Sequence, residues 1–234
     1  MHPNRLLNLY ARNAKRGEFH ANGNTIHLDD VIVGSELEAE FWGGVSPQGF
    51  RRALEGMSGD VTLRINSPGG DVFAARAMAQ AMREYEGAIN VIVDGLAASA
   101  ASLIAVSASS LRMAPGSMLM IHKAWSIAMG NADDFMDVAD LLEKIDGTIA
   151  ETYASKGKGD EEHYKSLMAA ETWFTAQEAV EEGLADEAIS EGPKAKSNWD
   201  LSAFLNAPAP IVDEQVKPDL SNQIRARRLA AALV

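Results

Sequence analysis

Two turns of this chain carry residue types suited to acyl-transfer chemistry: Asn66-Ser67-Pro68-Gly69-Gly70-Asp71 and Gly95-Leu96-Ala97-Ala98-Ser99-Ala100-Ala101. Glycine and alanine place few or no Cβ atoms in the way of a substrate that approaches the backbone. Where such a turn leads into a helix, the first helical N–H groups lack intrahelical partners and face the crevice. One turn can supply oxyanion donors while the other presents a serine, which is the geometry acyl transfer requires.

Ser99 stands among alanines directly after an apolar run, residues 89–93. An isolated serine in that setting is ordinarily a small residue tolerated where a helix packs closely on a sheet, and Ser102 fits that description. Ser99 differs because it lies at the turn itself. There its hydroxyl can point out of the sheet while the N–H of Ala100 points at the same spot, as in other strand-turn-helix nucleophiles. His122 ends the apolar run 118–121. Taken alone it could be bonded to a backbone carbonyl; beside the Ser99 strand it becomes the natural general base, because imidazole titrates near operating pH. The other histidines lie in the N-terminal region (His2, His20, His27) or in a polar helix (His163). A carboxylate is needed to fix the histidine tautomer and to stabilise imidazolium. Glu171, ahead of Trp173 and Phe174, is the best candidate by position, although Thr175 and Glu178 form a capping box that would equally make this region a helix start. Asp133 and Asp134 compete for the role but suit the N-terminus of a long helix through its dipole.

The elements that would position these groups alternate between the two kinds. Residues 25–32, 61–65, 89–93, 110–113 and 118–121 read as strands, the second by its alternation and the third as a nearly all-apolar run. Helices follow Ser46-Pro47, Asp71, Ser99 and Asn131, the first with serine as N-cap and proline at the first helical position. After Asp71, Phe73, Ala77, Met78, Ala81 and Met82 form one stripe, and from residue 133 to 153 Phe135, Val138, Leu141, Leu142, Ile145 and Ile149 recur at helical spacing. A second helical pair covers residues 161–168 and 176–182, with Gly183 as its stop. Strands alternating with helices predict an α/β fold with a largely parallel sheet.

Composition excludes several classes. The chain has 234 residues and no cysteine, which rules out disulfides, thiolate zinc sites and a cysteine nucleophile and suits a reducing, cytoplasmic setting. A formal net charge of −12 argues against a nucleic-acid-binding surface. The stretch 95–106 is too short and too serine-rich to span a bilayer, and Leu6, Leu7 and Leu9 are too few for a membrane anchor or leader. No metal-ligand spacing occurs, and Ser67-Pro68-Gly69-Gly70 lacks the Lys-Ser/Thr pair of a phosphate loop. Neither a metal nor a cofactor is expected.

With these residues assembled, the chain resembles the ClpP family of serine peptidases. Arg64-Ile65-Asn66-Ser67-Pro68-Gly69-Gly70 is similar to its oxyanion-side motif, Gly95-Leu96-Ala97-Ala98-Ser99 to its nucleophile motif and Met120-Ile121-His122 to its histidine motif. Residues 173–186 resemble its closing segment. The resemblance implies a ClpP/crotonase-like spiral of ββα units with a protruding long helix. It also implies Ser99 as nucleophile, His122 as base, and Gly70 and Ala100 as oxyanion-hole donors. The third catalytic position falls on Glu171, where aspartate is usual. Further departures are Ala100-Ala101 after the serine and Lys123-Ala124 after the histidine. Trp42-Gly43-Gly44-Val45-Ser46, residues 130–134 and Glu171-Thr172-Trp173-Phe174 resemble the ClpP-related proteases of phages and prophages, which are associated with head maturation.

The resulting expectation is an N-terminal arm (residues 1–24) that is mobile or makes an oligomer contact, a ClpP-like protease domain (25–190), and a linker with a C-terminal tail (191–234). The linker is marked by Ala207-Pro208-Ala209-Pro210, and residues 212–234 are expected to be mobile or docked on a neighbouring subunit. By family resemblance the long helix and the segment before it imply a ring-shaped homo-oligomer with stacked rings. Polypeptides are the expected substrates, scaffold or capsid protein among them, and an ATP-driven unfoldase is a candidate partner. Two other classes are set against this reading: a crotonase-like acyl-CoA enzyme, and a non-catalytic ring scaffold or degenerate protease.

Overall fold

The structure is a computed structural model, and it describes residues 4–192 and 197–208. The chain opens with helix α1 (Arg5–Asn13), capped by the Asn4 side chain, and with strand β1 (Glu18–Asn22), which pairs antiparallel with β2 (Thr25–Asp29). From residue 4 onward, the region read from sequence as an arm packs on the rest of the domain. Leu9 and Ala11 supply the reason, since both are buried. Helices α2 (Glu36–Trp42) and α3 (Pro47–Glu55) follow, capped by Ser35 and Ser46.

Strand β3 (Val61–Ser67) buries Val61, Leu63 and Ile65 on one face and runs parallel to both β2 and β4 (Ile89–Ala98). Helix α4 (Val72–Glu84) crosses over between them, and α5 (Ala100–Val106) leaves the end of β4. Strand β4 is longer than the apolar run 89–93 suggests, and it changes partner along its length. Its first half pairs with β5 (Ser110–Met113) and its second half with β6 (Met118–Ile121). The β3–β4 register shifts between Ile65 and Ser67, at the point where the first turn begins.

Helix α6 (Ala132–Lys156) is the longest element and starts in a capping box: the Asn131 side chain accepts the N–H of Asp133 and Asp134, and the Asp134 carboxylate accepts that of Asn131. The Asp134 carboxylate is thus occupied at a helix start, and Asp133 lies exposed in the same first turn. Helix α7 (Glu161–Ala169), strand β7 (Thr172–Thr175), helix α8 (Ala176–Glu182) and the short β8 (Glu187–Ala188) complete the domain, with β7 antiparallel to β6 and β8 parallel to β5. The result is a mixed α/β architecture around one eight-stranded sheet with a projecting long helix.

The main core lies between the sheet and α4, α5 and the C-terminal half of α6. A second apolar cluster joins Leu9 of α1, Leu96 and Ala98 of β4, and Met120 of β6 to Trp199, Ala203 and Phe204 of the tail. The apolar spacing of α6 is only half used: Ile145 and Ile149 are buried, whereas Phe135 and Leu141 are each 52% exposed. Phe73 also departs from the stripe expected for α4; it is exposed and stands at the wall of the cavity described below. Residues 212–234 lie outside the described residues. No helix among the described residues is long and apolar enough to cross a membrane.

Candidate active site

The site lies where β4, β6 and the β3–α4 turn converge. Ser99 joins β4 to α5 with φ 55° and ψ −125°, a conformation that L residues rarely adopt and that costs about 1–3 kcal/mol. The surroundings hold it there. Its N–H donates to the carbonyl of Met120 at 2.9 Å, and its own carbonyl accepts the Ser102 hydroxyl at 2.6 Å. The Ser102 hydroxyl also meets that of Tyr153, from α6, at 2.7 Å. Ser102 is therefore a structural serine that ties the Ser99 turn to the long helix.

The first turn is pressed against the second. A Cβ on Gly69 would come within 2.8 Å of Ser99 Cβ, and one on Gly70 within 1.9 Å of the Ile32 carbonyl oxygen. Both residues have positive φ, so glycine is required for space and for conformation alike. Ile32 clasps the turn by donating its N–H to Gly69 and accepting that of Asp71. Among the described residues no backbone acceptor engages the N–H of Gly70 or of Ala100, which leaves both free for a ligand.

Parallel pairing of Ala98 with Met120 carries His122 alongside Ser99. His122 Nε2 lies 2.7 Å from Ser99 Oγ. The ring is buried and stands edge-on to Trp125 and Phe204. Burial pushes the imidazole pKa down, and the positive charge of Arg5 adds to the effect, to about 3. Behind the ring, the N–H of Ala124 donates to Asp146 of α6 at 2.8 Å and fixes the turn that leaves β6.

Glu171 lies just before β7, buried and with φ 50°. Its Oε2 accepts from the Arg5 guanidinium at 2.8 Å and its Oε1 from the N–H of Asn206 at 2.7 Å. No hydrogen bond or ion pair joins it to His122 among the described residues. Ser99, His122, Gly70 and Ala100 are thus brought together around one cavity, while Glu171 is engaged elsewhere. That cavity has a volume of about 240 Å³ and an apolar lining in which Leu6 and Tyr10 of α1 face Leu142 and Ile145 of α6.

A hydroxyl held against a neutral imidazole, next to two unoccupied backbone N–H groups, is equipped for nucleophilic attack on a carbonyl. Residues 27–192 match the family model for Clp protease. The chain belongs to the Clp protease family. Relatives include an ATP-dependent Clp protease proteolytic subunit 2 of Thermobifida fusca, 29% identical over 165 residues, covering 70% of this chain and 81% of that one. The proteolytic subunit of Bacteroides thetaiotaomicron is 33% identical over 132 residues, 56% of this chain and 60% of that one. A third, subunit 2 of Rhodococcus jostii, is 29% identical over 167 residues and 86% of its length is covered.

Three contributors have no signal of their own in the sequence. Arg5 reaches Glu171 across 166 positions and lays its guanidinium 4.1 Å from the centre of the Trp125 ring. Asn206 fixes Glu171 through a backbone N–H, which no side-chain pattern announces. Tyr153 lies on the expected apolar face of α6, but its hydroxyl partner could be found only once α5 and α6 were packed.

Proposed function

We propose that this Clp-family protein is a serine endopeptidase that cleaves polypeptides through an acyl-enzyme. Ser99 attacks the scissile carbonyl while His122 takes its proton at Nε2. The oxyanion is received by the N–H groups of Gly70 and Ala100, and His122 then passes the proton to the departing amine. Water repeats the sequence to release the acyl group. In this scheme Glu171 orients His122 at Nδ1 and stabilises the imidazolium, which requires it to leave its present partner.

The observation that carries the reading is the 2.7 Å contact between Ser99 Oγ and His122 Nε2 on a backbone held at positive φ. The apolar cavity beside Ser99 supports a bulky apolar side chain at the residue whose carbonyl is attacked. Exposed apolar residues on α6 support a homo-oligomer, and the family resemblance favours a ring. The names of the relatives, proteolytic subunits of ATP-dependent proteases, support an ATP-driven unfoldase as partner and a cytoplasmic setting. Head maturation with scaffold or capsid protein as substrate rests on the resemblance of residues 42–46 and 130–134 to phage and prophage proteases.

The test is covalent labelling. A fluorophosphonate should label the wild-type protein and not Ser99→Ala, and Ser99→Ala should cleave no peptide. Unchanged cleavage by purified Ser99→Ala would sink the reading.

A further inference from the structure

Helix α1 sits across the site rather than beside it. Leu6, Leu9 and Tyr10 form one wall of the cavity that Ser99 and His122 share. This wall narrows the approach to Ser99. The hydroxyl of Tyr10 donates to the carbonyl of Ile32, the residue that clasps the Gly69-Gly70 turn. At the start of the helix, Arg5 binds the Glu171 carboxylate, donates from Nε to the Ala203 carbonyl at 2.7 Å and stacks on Trp125.

We propose that α1 is an autoinhibitory latch in which Arg5 withholds Glu171 from His122, so that the triad is completed only when α1 lifts. The proposal rests on the catalytic reading of Ser99, His122 and Glu171. Its physical basis is competition for one buried carboxylate. A buried ionised carboxylate is stabilised by a cationic partner. Among the described residues Arg5 is the cation paired with Glu171, and the imidazolium that forms during catalysis would compete for it. While Arg5 holds Glu171, His122 has neither an orienting acceptor nor a counter-charge. It also has a guanidinium nearby that opposes its protonation. When Arg5 leaves, Glu171 stays tethered through Asn206, and its unpaired charge favours imidazolium.

The attachment of α1 is suited to release. A nine-residue helix is not stable by itself and depends on its docking contacts. Those contacts run to the tail: Asn13 exchanges two hydrogen bonds with the backbone of Asp200, Arg12 pairs with the Asp200 carboxylate, and Arg16 donates to the Asn198 carbonyl. The Arg12 and Arg16 contacts are exposed, those of buried Asn13 are part-buried, and Leu9 adds an apolar contact to β4 and β6. Helix α1 shares no strand pairing with the sheet, so it can lift while the sheet stays intact.

The test uses full-length protein and the rate of fluorophosphonate labelling. Arg5→Gln should label at least five-fold faster than wild type, and the pH midpoint of labelling should rise. The charged groups around His122 are Arg5, Glu171, Asp71 on the cavity wall, and Lys123 with Asp146 at the turn behind the ring; the substitution changes Arg5 alone. Because the chain has no native cysteine, Asn13→Cys with Asp200→Cys offers a second arm that is independent of folding differences. Oxidised, with α1 tied to the tail, this variant should label at least five-fold more slowly than the same sample reduced. Equal rates in the oxidised and reduced samples, or an Arg5→Gln variant no faster than wild type with an unmoved midpoint, would overturn the latch. Ser99→Ala run in parallel keeps the two readings apart. Labelling that persists in Ser99→Ala overturns the serine mechanism itself, whereas labelling lost there but insensitive to Arg5 and to the disulfide overturns only the latch.

Discussion

The hydroxyls of Ser102 and Tyr153 meet 2.7 Å apart beneath the nucleophile turn, and the Ser102 hydroxyl donates a hydrogen bond to the Ser99 carbonyl. A relay from α6 therefore props the strained turn from below. Ser102→Ala strips the hydroxyl partner from buried Tyr153 and removes one of the two hydrogen bonds to the Ser99 carbonyl, which keeps the Ser102 N–H at 2.9 Å. An unsatisfied buried polar group costs about 1–3 kcal/mol. We expect Ser102→Ala to lower stability by about 2 kcal/mol and kcat by roughly ten-fold, with KM less affected because the cavity is untouched. Tyr153→Phe, which keeps the Ser102–Ser99 bond, should cost about 1 kcal/mol and change kcat less. Urea unfolding and peptide turnover check both. Wild-type values for Ser102→Ala would mean the relay is incidental.

Gly70 combines a backbone conformation that disfavours side chains with a contact that forbids one: φ is 148°, and a Cβ would lie 1.9 Å from the Ile32 oxygen. The obstacle is backbone on both sides, so it cannot be relieved by a rotamer change. Gly70→Ala is expected to destabilise the fold by about 3 kcal/mol or more and to abolish labelling of Ser99. Gly59→Ala is the comparison, since Gly59 also has positive φ but its Cβ would meet nothing within 4 Å. Its cost should be about 1 kcal/mol, from conformation alone. Equal thermal shifts for the two variants would show that the Ile32 contact carries no weight.

These particulars explain what was legible in the sequence. Alternation and small-residue turns located β3, β4 and the turn holding Ser99, because periodicity and the absence of Cβ atoms are local properties. His122 was found by its place at a strand end. The parallel pairing of Ala98 with Met120 then turned position into a contact. What sequence left out is long-range and has no period. The arm of residues 1–24 contains a helix whose Leu9 is buried against tail residues nearly 200 positions away, and no local pattern encodes that pairing. The partner of Glu171 was hidden for the same reason: Arg5 is one of several basic residues in a polar segment until the fold brings it to the carboxylate.

Acid stability follows from the same histidine. His122 has its pKa lowered to about 3 in the folded protein, so the unfolded chain binds the extra proton between about pH 6.5 and 3. The contribution of the neutral imidazole is therefore present above pH 6.5 and is lost as pH falls through this window. Buried Asp30, whose pKa burial raises to about 6, works in the opposite direction as pH falls from 6 towards 4. The His122 part is isolated by comparing wild type with His122→Gln. From pH 7 to pH 5 wild type should lose on the order of 2 kcal/mol more than the variant. Urea midpoints that fall in parallel for the two proteins would show that His122 does not stay neutral on folding.

Assembly can be tested at α6. At 1.5 Å per residue its 25 residues extend about 37 Å, and its C-terminal half is anchored in the core while Phe135, Met136 and Leu141 of the N-terminal half are each more than half exposed. An apolar cluster of this kind on a projecting helix suits burial against another protein surface. Its occupant is expected to be a second copy of this chain. The surrounding residues Asp133, Asp134, Asp137 and Asp140 would then face their own counterparts, and each chain carries a formal net charge of −12. Like charges oppose association, and salt screens them. Sedimentation velocity at micromolar concentration should therefore show a species larger than the monomer that is strengthened by raising salt from about 0.05 to 0.5 M. Phe135→Glu, a change at the exposed end of an otherwise intact helix, should shift the protein towards monomer while leaving its circular dichroism unchanged. A wild-type protein that sediments as a monomer at both salt concentrations, or a Phe135→Glu variant that assembles like wild type, would remove α6 as the contact surface.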